Sequence, residues 1–109
     1  MPRRQSKAGT SAISPEKMAE HADEASKLLR ALANPNRLMI LCVLSGGEMA
    51  VGELNRAVGL SQSALSQHLS ILRHDHLVDT RRERQSVYYR LADGPAVRII
   101  ERLHDVYCG

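Results

Sequence analysis

The chain has 109 residues, which is enough for one compact domain and too few for two. Hydrophobic residues make up 43% of it, which excludes a wholly disordered chain, and three Tyr without any Phe or Trp predict an aliphatic core of packed helices. The net charge of +3 is too small to identify a partner by itself, and no apolar run approaches the roughly 20 residues of a membrane span, so we expect a cytoplasmic protein.

Composition separates an N-terminal arm from the domain that follows it. Residues 1–13 are small, polar and basic without a hydrophobic period, and we predict a flexible basic arm there. The domain is expected to span residues 14–109. It begins with a helix-start signal, in which Ser14 is the N-cap before Pro and Glu, and apolar residues at helical spacing continue to about Ala33.

Two more helices are predicted before the middle of the chain. Asn34, followed by Pro, starts a second helix with almost no polar face, and such a helix belongs at the centre of a domain. A pair of Gly residues ends it. A short third helix, Val51–Val58, follows and ends at Gly59, although Ala50 before it is a poor cap.

A fourth helix is predicted to begin at Ser61, directly after a tight turn, so the third and fourth helices form a candidate helix-turn-helix. Its apolar stripe, Leu65, Leu69 and Leu72, is expected to be buried. Short polar side chains near the start of such a helix can read base edges in the major groove. The candidate DNA-binding residues on this helix are Ser61, Gln62, Ser63, Ser66, Gln67 and His68. An ordinary amphipathic surface helix would show the same pattern, so this segment alone leaves both interpretations open.

After position 76 the hydrophobic period changes from helical to alternating, which predicts strands over 77–82 and 86–91 with a hairpin tip at 83–85. Arginines at 81, 82, 84 and 90 crowd this stretch, where they could neutralise phosphates or simply be solvated. The candidate DNA-binding residues near the tip are Arg82, Arg84 and Gln85. A helix-turn-helix followed by a basic hairpin is the winged-helix order, so the predicted fold is mainly α with a β-hairpin wing.

Three segments resemble signatures of the ArsR family of bacterial repressors, namely residues 60–69 (LSQSALSQHL), 33–38 (ANPNRL) and 87–91 (VYYRL). The resemblance spans roughly residues 16–108. It implies a homodimer, built from the first and last helices, that binds a double-stranded DNA operator. The last predicted helix opens at Asp93, and both terminal helices carry an apolar stripe that a lone domain would leave partly exposed.

Two positions depart from the family pattern, because His76 and Arg84 stand where Gly is common. His tolerates the left-handed backbone conformation less readily than Gly, so we expect local strain in the turn before the first strand. Arg84 adds a cation at the tip of the wing.

Two metal sites known in the family lack their ligands here. On the third helix the resemblance aligns Ala50 and Gly52 with the thiol positions of one site. On the last helix Asp93 matches the first ligand of the other site, but Pro95 replaces the first His and the later ligand positions are changed as well. The resemblance therefore implies no resident metal, and we expect no cofactor.

The two cysteines, Cys42 in the second helix and Cys108 at the end of the last, resemble those of the persulfide-responsive subgroup of the family. This resemblance implies that reactive sulfur species are the inducer. One thiolate would take up sulfane sulfur, the other would close a disulfide or polysulfide bridge, and the operator would be released.

Alternatives stay open at this point. The cysteines, with His104 on the same helical face as Cys108, could bind a soft metal ion such as Cu(I) or Zn(II) in a metal-sensing repressor. Both cysteines could instead be structural in a regulator that binds DNA without a ligand. An enzyme is not expected, because the sequence offers no Ser-His-Asp order, phosphate loop, carboxylate pair or CxxC motif.

Overall fold

The structure, a computed structural model, describes residues 13–109, so nearly all of the predicted arm at residues 1–13 lies outside the described part of the chain. The elements in chain order are α1 (Pro15–Leu32), α2 (Pro35–Leu44), β1 (Met49–Ala50), α3 (Val51–Val58), α4 (Gln62–His74), β2 (Val78–Glu83), β3 (Ser86–Leu91) and α5 (Pro95–Cys108). The predicted fold class is confirmed, because a helix-turn-helix, α3–α4, is followed by an antiparallel hairpin, β2–β3.

The corner between α1 and α2 shows why the ANPNRL segment forms a sharp junction. The side-chain oxygen of Asn34 accepts hydrogen bonds from the backbone N–H groups of Asn36 and Arg37, at 3.0 and 3.1 Å. The Arg37 guanidinium donates back to the carbonyl oxygens of Ala31 and Arg30, at 2.9 and 3.3 Å. One residue therefore caps the start of α2 while another satisfies carbonyls at the end of α1.

The core is aliphatic, as the composition predicts. It joins one face of every helix to the start of the hairpin, and its fully buried large side chains are Ile40, Leu41, Leu54, Leu65, Leu72, Val78 and Ile100. The central position predicted for α2 is confirmed, because this helix contacts α1, α3, α4, β3 and α5. Its burial is nevertheless one-sided, since Met39 keeps 52% of its surface exposed.

The sheet contains a strand that the sequence did not predict. β1 pairs antiparallel with β3, Met49 opposite Tyr89 and Ala50 opposite Tyr88, which gives a three-stranded sheet in the order β1-β3-β2. A strand of two residues is too short to show an alternating pattern, so no periodic signal marks it.

The bounds of the hairpin differ slightly from those expected. β2 begins one residue later than predicted because Leu77 lies buried in the preceding turn, where its N–H donates to the Leu72 carbonyl at 2.9 Å. Glu83 pairs with Ser86, so the tip is a two-residue turn at Arg84 and Gln85 rather than a three-residue one.

The two departures from the family pattern coincide with backbone strain. Within residues 13–109, the non-glycine residues with positive φ are His76 at 61° and Arg84 at 59°. Both occupy the left-handed region that costs a side-chain-bearing residue free energy. The strain expected at His76 is confirmed, and Arg84 shares it.

Candidate functional site

The turn between α3 and α4 is held by local hydrogen bonds. Gly59 adopts a left-handed conformation with φ 69° and ends α3, and the side-chain amide of Asn55 donates to the carbonyl of Leu60 at 2.6 Å. The hydroxyl of Ser61 then accepts from the N–H of Ala64 at 3.2 Å and caps α4. These contacts fix the direction in which α4 leaves the turn.

The start of α3 lacks a capping side chain at Ala50, as the sequence predicts. The Glu53 carboxylate partly compensates, since it accepts a hydrogen bond from the Ala50 N–H at 3.0 Å. Because Ala50 also pairs with β3, the first turn of α3 is continuous with the sheet.

The two faces of α4 are divided as predicted. Leu65, Leu69 and Leu72 are buried in the core. The residues that point away from the domain near the start of the helix are Ser61, Gln62, Ser63, Ser66 and Gln67. Their hydroxyl and amide groups form a contiguous polar surface, with the groups that major-groove recognition requires.

His68 is placed differently from the other candidates on α4. Its side chain is half-buried, and its Nδ1 atom is enclosed without a hydrogen-bond partner among residues 13–109. The helical repeat puts position 68 at the margin of the buried stripe, between Leu65 and Leu72, so part of its ring faces the domain. The structure therefore does not bring His68 fully onto the exposed polar surface.

The tip of the hairpin presents the three residues expected there. Arg82, Arg84 and Gln85 are all exposed. No carboxylate within residues 13–109 lies at ion-pair distance from either arginine. The tip thus carries two cations with uncompensated charge, at the far end of the ribbon from α5.

The other arginines of this stretch are neutralised, which the sequence alone did not reveal. The Arg81 guanidinium binds both carboxylate oxygens of Glu48 at 2.8 Å and one oxygen of Glu83 at 3.0 Å. Arg90 forms an ion pair with Asp79 at 3.3 Å. The partner of Arg81 lies 33 positions away along the chain, so no local pattern could have indicated this contact.

The Glu48–Arg81 pair is reflected in the titration of both groups. The hydrogen bonds from Arg81 lower the pKa of the Glu48 carboxyl below its usual value. The same bonds, with those to Glu83, raise the pKa of the Arg81 guanidinium. Both side chains are therefore charged throughout the neutral range.

The cysteines lie on packed helices. Cys42 is half-buried on α2, Cys108 is exposed at the end of α5, and both are free thiols. Burial raises the pKa of the Cys42 thiol, and the negative charge of a Cys108 thiolate raises it further.

Within residues 13–109, no group of three or more His, Cys, Asp or Glu residues is arranged to bind a metal ion. Over the same residues, no helix combines the length and the apolar character that crossing a bilayer demands.

A helix-turn-helix whose second helix exposes hydroxyls and amides, followed by a hairpin with two unpaired arginines at its tip, defines a winged helix-turn-helix regulator of transcription. Comparison with known proteins gives the family. A family model described as "Bacterial regulatory protein, arsR family" matches residues 34–80. The chain belongs to the ArsR family of bacterial transcriptional regulators.

Several well-covered relatives support this assignment. The transcriptional activator HlyU of Vibrio cholerae is 50% identical over 93 residues, which are 85% of this chain and 86% of that protein. The structure of the transcriptional repressor BigR from Xylella fastidiosa matches with a TM-score of 0.83 at 38% identity, over 89% of this chain and 99% of that one. The homodimeric winged helix-turn-helix domain of Mb0332 from Mycobacterium bovis matches with a TM-score of 0.72 at 34% identity, over 89% of each chain.

Proposed function

We propose that this chain is a homodimeric repressor that leaves its operator when Cys42 and Cys108 of one protomer are bridged by sulfur. The observation that carries the proposal is the thiol pair. Cys42 is half-buried on α2 and Cys108 is exposed at the end of α5, and the charge of a Cys108 thiolate adds to burial in raising the pKa of Cys42. Reactive sulfur species are the proposed inducer, and double-stranded DNA is the proposed partner.

The DNA-binding part of the proposal rests on two exposed surfaces. The surface on α4 consists of the hydroxyl and amide groups of Ser61, Gln62, Ser63, Ser66 and Gln67. The surface on the wing consists of Arg82, Arg84 and Gln85. The α4 surface would read base edges in the major groove, where amides suit adenine and hydroxyls suit bases or phosphates. The arginines of the wing would neutralise phosphates or enter the adjacent minor groove. His68, half-buried, would contribute through its exposed edge.

The dimer part rests on apolar side chains that one protomer leaves uncovered. Met18 and Leu29 on α1 are exposed, and so are Val106 and Tyr107 on α5, the last at 81% of its surface. Pairing of the terminal helices between two protomers would remove this surface from water. The homodimeric state given in the description of Mb0332 supports a homodimer.

The sulfur chemistry follows from the different surroundings of the two thiols. Cys108 is exposed, so its thiolate would attack the outer sulfur of an organic persulfide, giving Cys108–S–SH and releasing the thiolate of the organic thiol. The Cys42 thiolate would then attack the inner sulfur of that group, forming a disulfide and releasing HS⁻. The two cysteines together lose two electrons, and the transferred sulfur gains them as sulfide.

A longer bridge follows if both cysteines are first persulfidated. Cys42–S–SH and Cys108–S–SH then condense to a trisulfide with release of H₂S, which conserves all four sulfur atoms. Either bridge would tie the end of α5 to α2. Because α5 is proposed to form the dimer, the bridge would change the separation of the two DNA-reading helices. Shifting the equilibrium between the DNA-binding and the released conformation from about 1:99 to 99:1 requires a difference in free energy of roughly 5.5 kcal/mol.

The test combines intact mass with DNA binding. A preferred duplex is first selected from random-sequence DNA by the reduced protein, and the protein is then treated with glutathione persulfide, with a disulfide oxidant, or with Cu(I) or Zn(II). We expect persulfide to produce a species that has lost two hydrogen atoms, with or without an added sulfur atom, and to weaken binding to the selected duplex. Dithiothreitol should restore both mass and affinity.

The matched controls are Cys42→Ser and Cys108→Ser, which should bind the duplex like the parent protein but no longer respond. A Cys108→Ser variant that is still released by persulfide would overturn the proposed pairing. Loss of binding with a metal ion but not with persulfide would show a metal-sensing repressor instead. If neither affects binding, the chain is a regulator that binds DNA without a ligand, and the thiol proposal is wrong.

A further inference from the structure

The side chain of Arg81 crosses the whole sheet. It starts on β2, lies over the ring of Tyr88 on β3 with its guanidinium carbon 4.4 Å from the ring centroid, and ends on Glu48, which directly precedes β1. Tyr88 is the partner of Arg81 on one side and of Ala50 on the other. The guanidinium thus links β2 and β3 to the residue before β1, reaching diagonally toward the domain from the level of the Arg81–Tyr88 pair.

This level is where the wing leaves the domain. β1 pairs with β3 only at Tyr88 and Tyr89, so the pairs closer to the tip, Arg82 with Val87 and Glu83 with Ser86, belong to the hairpin alone. Beyond Tyr88 the ribbon is held only by its own two strands. Glu83 lies in that outer part, and its carboxylate reaches back to Arg81 at 3.0 Å.

We infer that Arg81 is a positioning residue, which binds Glu48 on the domain and Glu83 on the outer ribbon and so sets the angle at which the wing approaches DNA. The inference rests on the proposed contact between the wing and DNA. Although 48% of its side chain is exposed, its guanidinium charge is already paired with two carboxylates, so Arg81 is not the residue assigned to neutralise a phosphate. Arg82 and Arg84 do so, and they meet the backbone only when the ribbon is held at this angle.

The geometry requires arginine in particular. Two parallel N–H bonds to one carboxylate fix the plane of the guanidinium, and that plane can also stack on Tyr88. A lysine ammonium has neither the paired N–H donors nor the flat shape of a guanidinium. Lysine would therefore keep the positive charge but would not fix the orientation of the wing.

The deciding variant is Glu48→Gln. Removing a carboxylate makes the DNA-binding side more positive, so electrostatics alone predicts tighter binding and a steeper salt dependence. Loss of positioning predicts the opposite, a Kd raised about three- to tenfold for the selected duplex. The slope of log Kd against log salt should fall by about one, because a wing-tip phosphate contact is lost.

Asp79→Asn is the matched control. It also removes one negative charge, here from β2 of the same sheet, and frees Arg90, but this ion pair joins β2 to β3 and does not reach the domain. Its affinity should equal that of the parent protein or exceed it slightly. Arg81→Lys provides the second variant: it should bind as weakly as Glu48→Gln, and parent-like binding would overturn the inference.

A second background separates this inference from the proposed function. In an Arg82→Ala/Arg84→Ala protein, Glu48→Gln should have almost no further effect, because it acts through the wing tip. If the Arg82→Ala/Arg84→Ala changes do not alter affinity, the proposed wing contact fails. If the Arg82→Ala/Arg84→Ala changes weaken binding but Glu48→Gln does not, only the positioning role fails. The same holds if Glu48→Gln still weakens binding in the Arg82→Ala/Arg84→Ala protein. Thermal unfolding of each variant, measured in parallel, ensures that binding is compared between folded proteins.

Discussion

Cys42 on the central helix α2 is coupled to Cys108 at the end of α5, because the charge of a Cys108 thiolate adds to burial in raising the pKa of the Cys42 thiol. This coupling makes the reactivity of Cys42 dependent on pH and on Cys108.

Alkylation rates should show this coupling. Because burial and the Cys108 thiolate raise the pKa of Cys42 above 9.0, its thiolate is scarce at neutral pH and its reaction with iodoacetamide should keep accelerating above pH 9.0. Cys108→Ser removes the electrostatic cause of the shift, so the pH dependence of the Cys42 alkylation rate should move to lower pH. Its midpoint should still lie at a higher pH than in the unfolded chain, because burial remains. An unchanged profile would contradict the electrostatic coupling of the two thiols.

The same pKa shift predicts a dependence of stability on pH. Only the folded chain disfavours the Cys42 thiolate. The contribution of the protonated thiol to the free energy of unfolding is therefore fully present below pH 9.0, the ordinary pKa of the thiol, and it is lost as the pH rises through the raised pKa of the folded chain. Denaturant unfolding at several alkaline pH values should show the decline. A Cys42→Ala protein provides the control, since its free energy of unfolding should fall less steeply over that window.

Glycine should relieve the two strained turns with different consequences for DNA. His76 and Arg84 have φ angles of 61° and 59°, and this left-handed conformation costs each of them about 1–2 kcal/mol. A Gly variant removes this cost, but the greater entropy of its unfolded chain offsets part of the gain in stability. His76→Gly should therefore raise the free energy of unfolding by about 0.5 kcal/mol and leave DNA binding unchanged. Arg84→Gly should stabilise similarly but weaken binding. Equal DNA affinity in both variants would show that Arg84 is not a contact.

Gln67 and Arg84 should affect different properties of binding. Gln67→Ala should cost about 1–3 kcal/mol with the selected duplex and much less with random DNA, because a base edge loses its bidentate partner. Arg84→Ala should weaken both and lower the salt slope by about one. Titrations of both duplexes at several salt concentrations would distinguish these patterns, and equal small effects from both changes would contradict the docking proposed here.

Two neighbours on α4 should differ in their effect on stability. Leu72 is fully buried, so Leu72→Ala should lower the free energy of unfolding by about 2–5 kcal/mol. Ile71 is 43% exposed beside the buried stripe, and Ile71→Ala should cost well under half as much. Chemical denaturation measures both, and similar losses would mean that the buried face of α4 is wrongly assigned.

Much of the fold was predictable because the relevant signals are local. The caps at Ser14, Asn34 and Ser61 mark helix starts within one residue, and the apolar stripe of α4 follows the helical period. The left-handed turn at His76 could be located because a known pattern places Gly there, whereas the same conformation at Arg84 was not predicted.

The rest depends on contacts between distant residues. β1 forms only because Met49 and Ala50 pair with β3, about forty positions later in the chain. Neither residue type by itself predicts a strand. Likewise, the arginines of the hairpin look equivalent in sequence. Their division into neutralised and free cations depends on where Glu48 and Asp79 lie after folding.

The pairing of Ala50 with Tyr88 has a consequence for how such a protein can be switched. It joins the first turn of α3 to the wing, and the tight turn at Gly59 joins α3 to α4, so the helix-turn-helix and the wing form one connected unit. In the proposed homodimer, a signal would then act by changing the separation or rotation of two such units along the double helix, so that one half of the operator is contacted while the other is out of register.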